Sequence, residues 1–235
     1  EIYSTDEYYP APADTQSRNR RLYEELVANI DIKPENVNIP KLTELHDSTY
    51  VSEFCTNYDE KAKDLDVLIM GIGEKGQVGF NEAGAAEQSR TRTVLLPYGS
   101  RKRQAKNFAG NLEITPKSAI AMGVSTMMSA KKIHLIAWGE DKAQIVKQIV
   151  EGPINPACPA SLLQKHNNIS FYVEENSASL LTRNEAPWLV GPCEWTPKFI
   201  RKAVVWLCEQ VGKPILKLSQ KDYLTNGLGE LLDQF

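Results

Sequence analysis

A carboxylate that follows a glycine turn at the end of a buried strand is placed to move protons on a small molecule, and this chain has one. Residues 66–92 read DVLIMGIGEKGQVGFNEAGAAEQSRTR: the apolar run Val67–Met70 breaks at Gly71-Ile72-Gly73, reaches Gly76 and delivers Asn81-Glu82. Glycines there let the backbone approach a ligand at the carboxyl edge of a sheet, where open α/β folds bind small molecules. Asp6-Glu7 is an acidic pair at the end of an extended stretch opening at Glu1-Ile2-Tyr3. Its carboxylate either enters the same site or forms a turn. Lys142 follows the run Ile133–Trp138 and the turn Gly139-Glu140-Asp141. At a helix start its ammonium would join free amides and the helix dipole in an anion site, although an ordinary surface lysine explains it as well. Arg101-Lys102-Arg103 with Lys106 is a basic patch. It reads as a solvated helix face or, for one member, as a phosphate ligand.

Alternating strands and helices must position these groups. Asp66–Met70, Thr93–Leu96 (ended by Pro97), Ile133–Trp138 and Ile169–Val173 read as strands. A helix over Lys142–Val150 carries Ile145, Val146, Ile149 and Val150 on one face, before Gly152-Pro153 stops it. A second is expected from the Thr115-Pro116 cap, and a third from Thr196-Pro197, with Phe199, Ala203, Val204, Leu207 and Val211 as its stripe and Gly212 closing it. The pattern predicts an α/β fold with an open, mostly parallel sheet and helices on both faces. Residues 1–185 form the expected α/β domain. Residues 186–235, opened by Pro187, Gly191, Pro192 and Pro197, read as a linker and the start of a C-terminal extension. Pro214–Leu218 could begin a strand there, and the end at Phe235 falls inside an amphipathic helical pattern. The abrupt start predicts a missing upstream part.

Composition narrows the function classes. A net charge of −3, from 27 basic and 30 acidic residues, gives no global field for nucleic acid or an anionic membrane. The longest apolar run is far shorter than the ~20 residues of a bilayer span, and no secretory signal pattern opens the chain. Cys55, Cys158, Cys193 and Cys208 are scattered, with no metal-binding spacing. The expectation is a cytoplasmic protein with reduced thiols, no metal and no cofactor.

Gly71-x-Gly73-x-x-Gly76 follows a strand as a dinucleotide fingerprint does, but Gln77–Gly79 is a poor helix start. Positions 90–92 are Arg-Thr-Arg where an acidic ribose ligand belongs. A tight turn approaching another ligand fits better. His46, His134 and His166 are isolated, and His134, inside a strand, reads as a core or face residue.

In this order the pieces resemble the glucosamine-6-phosphate deaminase/isomerase family, relatives of the 6-phosphogluconolactonases. They are Thr5-Asp6-Glu7-Tyr8, Ile30–Asn36, Gly71-x-Gly73-x-x-Gly76-x-x-x-Phe80-Asn81-Glu82, Ser89-Arg90-Thr91-Arg92, Met122-Gly123-Val124-Ser125-Thr126, Gly139-x-x-Lys142-Ala143 and Val150-Glu151-Gly152. The likeness covers about Glu1 to Leu181. It implies isomerisation of an amino-sugar phosphate with loss of ammonia. Asp6 matches the carboxylate that moves a proton between C1 and C2 of the opened sugar. Glu82 matches the glutamate supporting ring opening, Lys142 the phosphate-binding lysine and Lys106 an arginine of the pocket. Arg92 matches one activator-binding position, but Ala85 and Val94 replace its polar neighbours, which speaks against allosteric activation. The implied partner is a small-molecule sugar phosphate, with no nucleic acid and no membrane; a homo-oligomer stays open.

The turn departs from the family pattern Gly-x-Gly-x-Asp-Gly-His. Lys75 stands at the aspartate position and Gln77 at the histidine position. An amide cannot shuttle protons near neutral pH, so weak or lost turnover of the cyclic sugar is expected. The competing readings are a non-catalytic phosphosugar sensor or scaffold, and an isomerase or lactonase acting on another sugar phosphate.

Overall fold

The computed structural model describes residues 1–12 and 16–233. These fall into two compact units, Glu1–Trp138 with Gln148–Val173, and Gly139–Lys147 with Glu174–Phe235. The expected helical end at Phe235 lies outside the described residues.

The strands are β1 (Ile2–Tyr3), β2 (Asp6–Tyr9), β3 (Val37–Asn38), β4 (Leu68–Gly71), β5 (Arg92–Leu95), β6 (Ser118–Ala121), β7 (Ile133–Ala137) and β8 (Ile169–Val173). The α-helices are α1 (Arg18–Glu25), α2 (Ser48–Lys61), α3 (Tyr98–Gln104), α4 (Val124–Met128), α5 (Ala143–Val150), α6 (Thr182–Glu185), α7 (Pro197–Val211), α8 (Gln220–Thr225) and α9 (Gly229–Leu232). The fold is mixed α/β. The predicted parallel strands appear as β4-β7-β8, in register from Leu68 opposite Ile133 and Ile133 opposite Ile169. Leu68, Met70, Ile133, Leu135 and Ala137 are buried, whereas Ile69 and Tyr172 are exposed, so β4 and β7 bury alternate residues. β1 pairs with β3, also in parallel.

A second, antiparallel sheet in the order β2-β6-β5 holds much of what matters for the site. Asp6 and Arg92 both stand opposite Ala121, so the two side chains share one face. Along that face Tyr8, Ala119 and Ala121 pack with Phe80, Leu96 and Phe108. The opposite face carries Tyr9 and Ile120 against Leu42, Val51 and Cys55. The expected strand at 93–96 therefore belongs to the antiparallel sheet, and Asp6 begins a strand rather than ending one.

Two sequence expectations fail. Thr115-Pro116 opens no helix: the Thr115 hydroxyl donates to the Asn111 carbonyl at 2.7 Å, and the chain passes directly into β6, where pairing on both edges outweighs the capping signal. Pro214–Leu218 forms no strand. Ile215–Lys217 is a single 3-10 turn, because no strand among the described residues of that unit is there to pair with it.

Asp59 on α2 shows how this unit is fastened. Only 2% exposed, its carboxylate accepts from the Thr91 amide (3.1 Å), the hydroxyls of Thr91 (2.5 Å) and Thr126 (2.6 Å), and Arg90 Nε (2.5 Å). One side chain thereby ties α2 to the start of β5 and to α4. In the second unit, α7 starts at Thr196, whose side chain accepts from the Phe199 amide, and Gly212 closes it, as expected. Its stripe of Ala203, Val204 and Leu207 packs with Trp188, Leu228 and Leu231. Trp188 meets Phe199 and Trp206 edge to face.

Candidate functional site

β2 writes alternate residues to opposite faces, and two adjacent carboxylates consequently do different things. Glu7, 1% exposed, accepts from the Ser17 hydroxyl (2.6 Å) and from the backbone amides of Arg18 (3.3 Å) and Asn19 (2.9 Å). It is thus an anionic cap supplied from outside the helix at the N-terminus of α1. Asp6, 3% exposed, turns to the other face and pairs through Oδ1 with Arg18 Nη1 at 2.5 Å, while Thr5 Oγ1 donates to Oδ2 at 3.0 Å.

Arg18 sits over Phe80, with its guanidinium carbon 4.2 Å from the ring centroid and 5.7 Å from that of Tyr8. Burial works against its charge, yet the neighbouring Asp6 carboxylate and Tyr8 hydroxyl raise its pKa above the usual guanidinium value. Its side chain is 37% exposed and lines, with Asp6, Thr5, Ser17, Arg21 and Gln104, a cavity of about 660 Å³. The Tyr8 hydroxyl donates to Gln104 Oε1 at 3.0 Å at one side of this cavity.

The glycine turn crosses the same sheet face. A Cβ added at Gly79, whose φ is +57°, would stand 2.9 Å from Asp6 Oδ2, so backbone sits where a side chain would block the carboxylate. Buried Asn81 donates to the carbonyls of Val78 (3.1 Å) and Met122 (2.8 Å) and accepts from Arg92 Nη1 at 3.1 Å. Arg92 thus serves to pin the turn, and burial lowers its pKa. Glu82 accepts a hydrogen bond from Ser100 on α3, whose oxygen in turn accepts from Arg103 at 2.7 Å.

The departing residues of the turn close on themselves. Gln77 Oε1 accepts from the Lys75 amide at 2.9 Å, and the Gln77 side chain lies over Gly73, where a Cβ would come within 2.3 Å of its Cδ. The Gly76 amide donates to the Gly73 carbonyl at 2.9 Å, and Gly76 itself is buried, while Gly71 has ordinary room for a side chain. The Lys75 side chain is exposed. Lys106 is exposed as well, next to the cavity-lining Asn107. Lys142 belongs to the second unit, in the turn Glu140–Lys142 that precedes α5, with Nζ 3.1 Å from Asp141 Oδ2. The structure thus brings Asp6, Gly79 and Phe80 together with Arg18. Nothing in the sequence sets Arg18 apart from Arg20 and Arg21, which pair with Glu24 and Glu25 along the exposed side of α1. Only the alternation of Asp6 and Glu7 hints that a partner for each lies on opposite faces.

Among the described residues no cluster of His, Cys, Asp and Glu is placed to hold a metal ion, and no helix is long and apolar enough to cross a membrane.

The fold and the carboxylate–guanidinium pair define an α/β protein with a buried aspartate at the wall of a cavity. A family model described as glucosamine-6-phosphate isomerases/6-phosphogluconolactonase matches residues 1–171, and the chain belongs to that family, among proteins of carbohydrate metabolism. It is 45% identical over 238 residues to a Bacteroides thetaiotaomicron protein named only as glucosamine-6-phosphate deaminase-like, aligning along 100% of this chain and 35% of that one. The chain therefore spans about a third of that relative. Glucosamine-6-phosphate deaminase 2 of Bacillus subtilis is 35% identical over 184 residues, covering 76% of this chain and 72% of its own. The solved structure of a monomeric glucosamine-6-phosphate deaminase superposes with a TM-score of 0.70 at 31% identity, over 76% of this chain and 73% of that one. A 6-phosphogluconolactonase from Trypanosoma brucei shares the fold, with a TM-score of 0.56 at 18% identity.

Proposed function

We propose that the chain carries an amino-sugar phosphate deaminase/isomerase site, converting glucosamine 6-phosphate and water to fructose 6-phosphate and ammonia, with impaired opening of the sugar ring. Asp6 takes the C2 proton of the opened sugar and returns it to C1. The resulting C2 iminium is hydrolysed by water, which releases ammonia. The observation that carries the impairment is Gln77: it replaces the ring-opening base of the family pattern with a non-titrating amide, already engaged with the Lys75 amide. Glu82, bonded to Ser100, is the remaining carboxylate of that machinery. Loss of a positioned acid/base lowers rates by about 10²–10⁴.

Ammonia release from glucosamine 6-phosphate tests this. A rate equal to that of the B. subtilis relative refutes the impairment. Lys75→Asp combined with Gln77→His raises the rate by about 10²-fold if ring opening is the missing step.

A second reading is favoured by the Asp6–Arg18 ion pair, which occupies the carboxylate in this structure. The cavity would then bind a phosphosugar as a sensor, without turnover. Calorimetry showing saturable binding of glucosamine 6-phosphate with no ammonia release selects it. Lactonase chemistry on another sugar phosphate is disfavoured by Phe80-Asn81-Glu82, which follows the deaminase pattern.

A further inference from the structure

We propose that Arg18 is the electrophilic partner of Asp6, and that the two together transfer a proton on the open-chain aldehyde form of a sugar phosphate. The inference rests on Asp6 as proton carrier and adds what the family resemblance does not assign: the group that receives the negative charge, and a substrate that arrives already open.

Three observations place Arg18 in that role. Its guanidinium has five donors, and the Asp6 carboxylate engages Nη1. The same side chain lines the cavity, so a ligand oxygen at Asp6 lies within reach of the remaining donors. The base and the electrophile are then held at one end of one substrate. Second, the fork is fixed from two directions. The Phe80 ring centroid lies 4.2 Å from its guanidinium carbon, and Glu7 grips the amides at the start of α1, including that of Arg18 itself. Donors fixed before the reaction stabilise developing charge without reorganising. Third, Arg18 is kept fully charged by Asp6 and Tyr8. It can stabilise an oxyanion but cannot shuttle protons.

The step balances with water as the only further reagent. Asp6 takes the C2 proton; the C–H electron pair becomes the C1=C2 double bond, and the carbonyl π pair moves to O1, which Arg18 stabilises. Returned to C2, the proton restores the aldehyde as the O1 pair re-forms C1=O1. Delivered to C1, it is taken up by the C1=C2 pair while the C2-heteroatom lone pair forms the C2 double bond, with water giving a proton to O1 and accepting one from the C2 heteroatom. Ring opening needs a group that gives and takes a proton at O5 and O1, the position where Gln77 cannot serve. Arg18 needs no such group if the substrate arrives already open.

The test follows deuterium wash-in at C2 by NMR, in D₂O, with the full 235-residue chain. Erythrose 4-phosphate, which cannot close a ring through its phosphorylated O4, is compared with glucosamine 6-phosphate. The expected result is faster exchange on erythrose 4-phosphate, reduced about 10²–10³-fold in Arg18→Gln and about tenfold in Arg18→Lys, which keeps the charge but not the fork. Added guanidinium should restore exchange to Arg18→Ala, a rescue that a purely structural role would not give. If Arg18→Gln unfolds, Arg18→Lys and the rescue decide. Undiminished exchange in folded Arg18 variants overturns this inference and leaves Asp6 chemistry standing. Absence of exchange on both sugars in the unaltered chain overturns both.

Discussion

Asp59 and Asp6 are both buried carboxylates facing an arginine, yet one fastens the protein and the other faces a space. Asp59 is fully engaged by two threonine hydroxyls, a backbone amide and Arg90, bridging α2, β5 and α4. Asp6 has one guanidinium, one hydroxyl and the bare backbone of Gly79 around it, at the wall of a 660 Å³ cavity. A buried charge whose acceptor capacity is filled by the fold stabilises it. One left partly open beside a cavity is available to a ligand.

That contrast can be broken from either side. Asp59→Ala should lower stability by about 1–3 kcal/mol, since it strands two buried hydroxyls and an amide, while the exposed Arg90 simply rehydrates. Denaturant unfolding checks this, and a loss under about 1 kcal/mol would demote Asp59 to an ordinary surface pair. Asp6→Asn should do the reverse, abolishing C2 proton exchange by about 10²–10⁴-fold, while the half-exposed Arg18 rehydrates and the unfolding midpoint hardly moves. A large stability loss there would erase the distinction.

Acid sharpens the comparison further. Burial pushes the Asp59 carboxyl up, but the hydroxyls of Thr126 and Thr91 and the Arg90 guanidinium bring it below the usual aspartate value. The unfolded chain therefore takes up its proton first as pH falls. The contribution is complete above about pH 4–5 and disappears as pH drops through the ordinary carboxylate range towards the lowered folded value. Stability measured from pH 7 down to pH 3 should decline, and Asp59→Asn should flatten that slope. The smallest effect belongs to Glu7→Gln, which removes the charge at the start of α1 for about 1 kcal/mol. Thermal unfolding measures it, and the same variant should slow C2 exchange by loosening Arg18.

Sequence alone made the parallel sheet legible because β4, β7 and β8 are short, mostly apolar runs, interrupted only by His134 and Ser170, that end in glycine or a turn. It made α7 legible through Thr196, Pro197 and Gly212. The antiparallel sheet was harder: β6 is only Ser-Ala-Ile-Ala, and pairing on both edges, not propensity, makes it a strand. The proline at 214 looked like a strand opening because a strand's partner cannot be seen locally. At the cavity, Asp6 stood out by residue type as a candidate carboxylate, whereas the altered turn stands out only against the family pattern, and Glu82 is held by Ser100. Arg18 did not stand out, because its role comes from Phe80, 62 positions away, and from Glu7 capping its helix. Gln77 was readable as a non-titrating residue, whereas its fold-back onto Gly73 needed three dimensions.

The side-by-side placement of Asp6 and Glu7 makes β2 intolerant of slippage. A shift by one residue would exchange the two carboxylates, sending the shorter acid to the helix amides and the longer one against the Gly79 backbone. Chemistry and anchorage would fail in the same event. The bonds that bracket the strand, from the Met122 amide to the Thr5 carbonyl at 2.8 Å and from the Ser118 hydroxyl to the Tyr9 carbonyl at 2.6 Å, act as a ratchet stop at each end. Alignment of four residues thus decides which carboxylate the cavity receives.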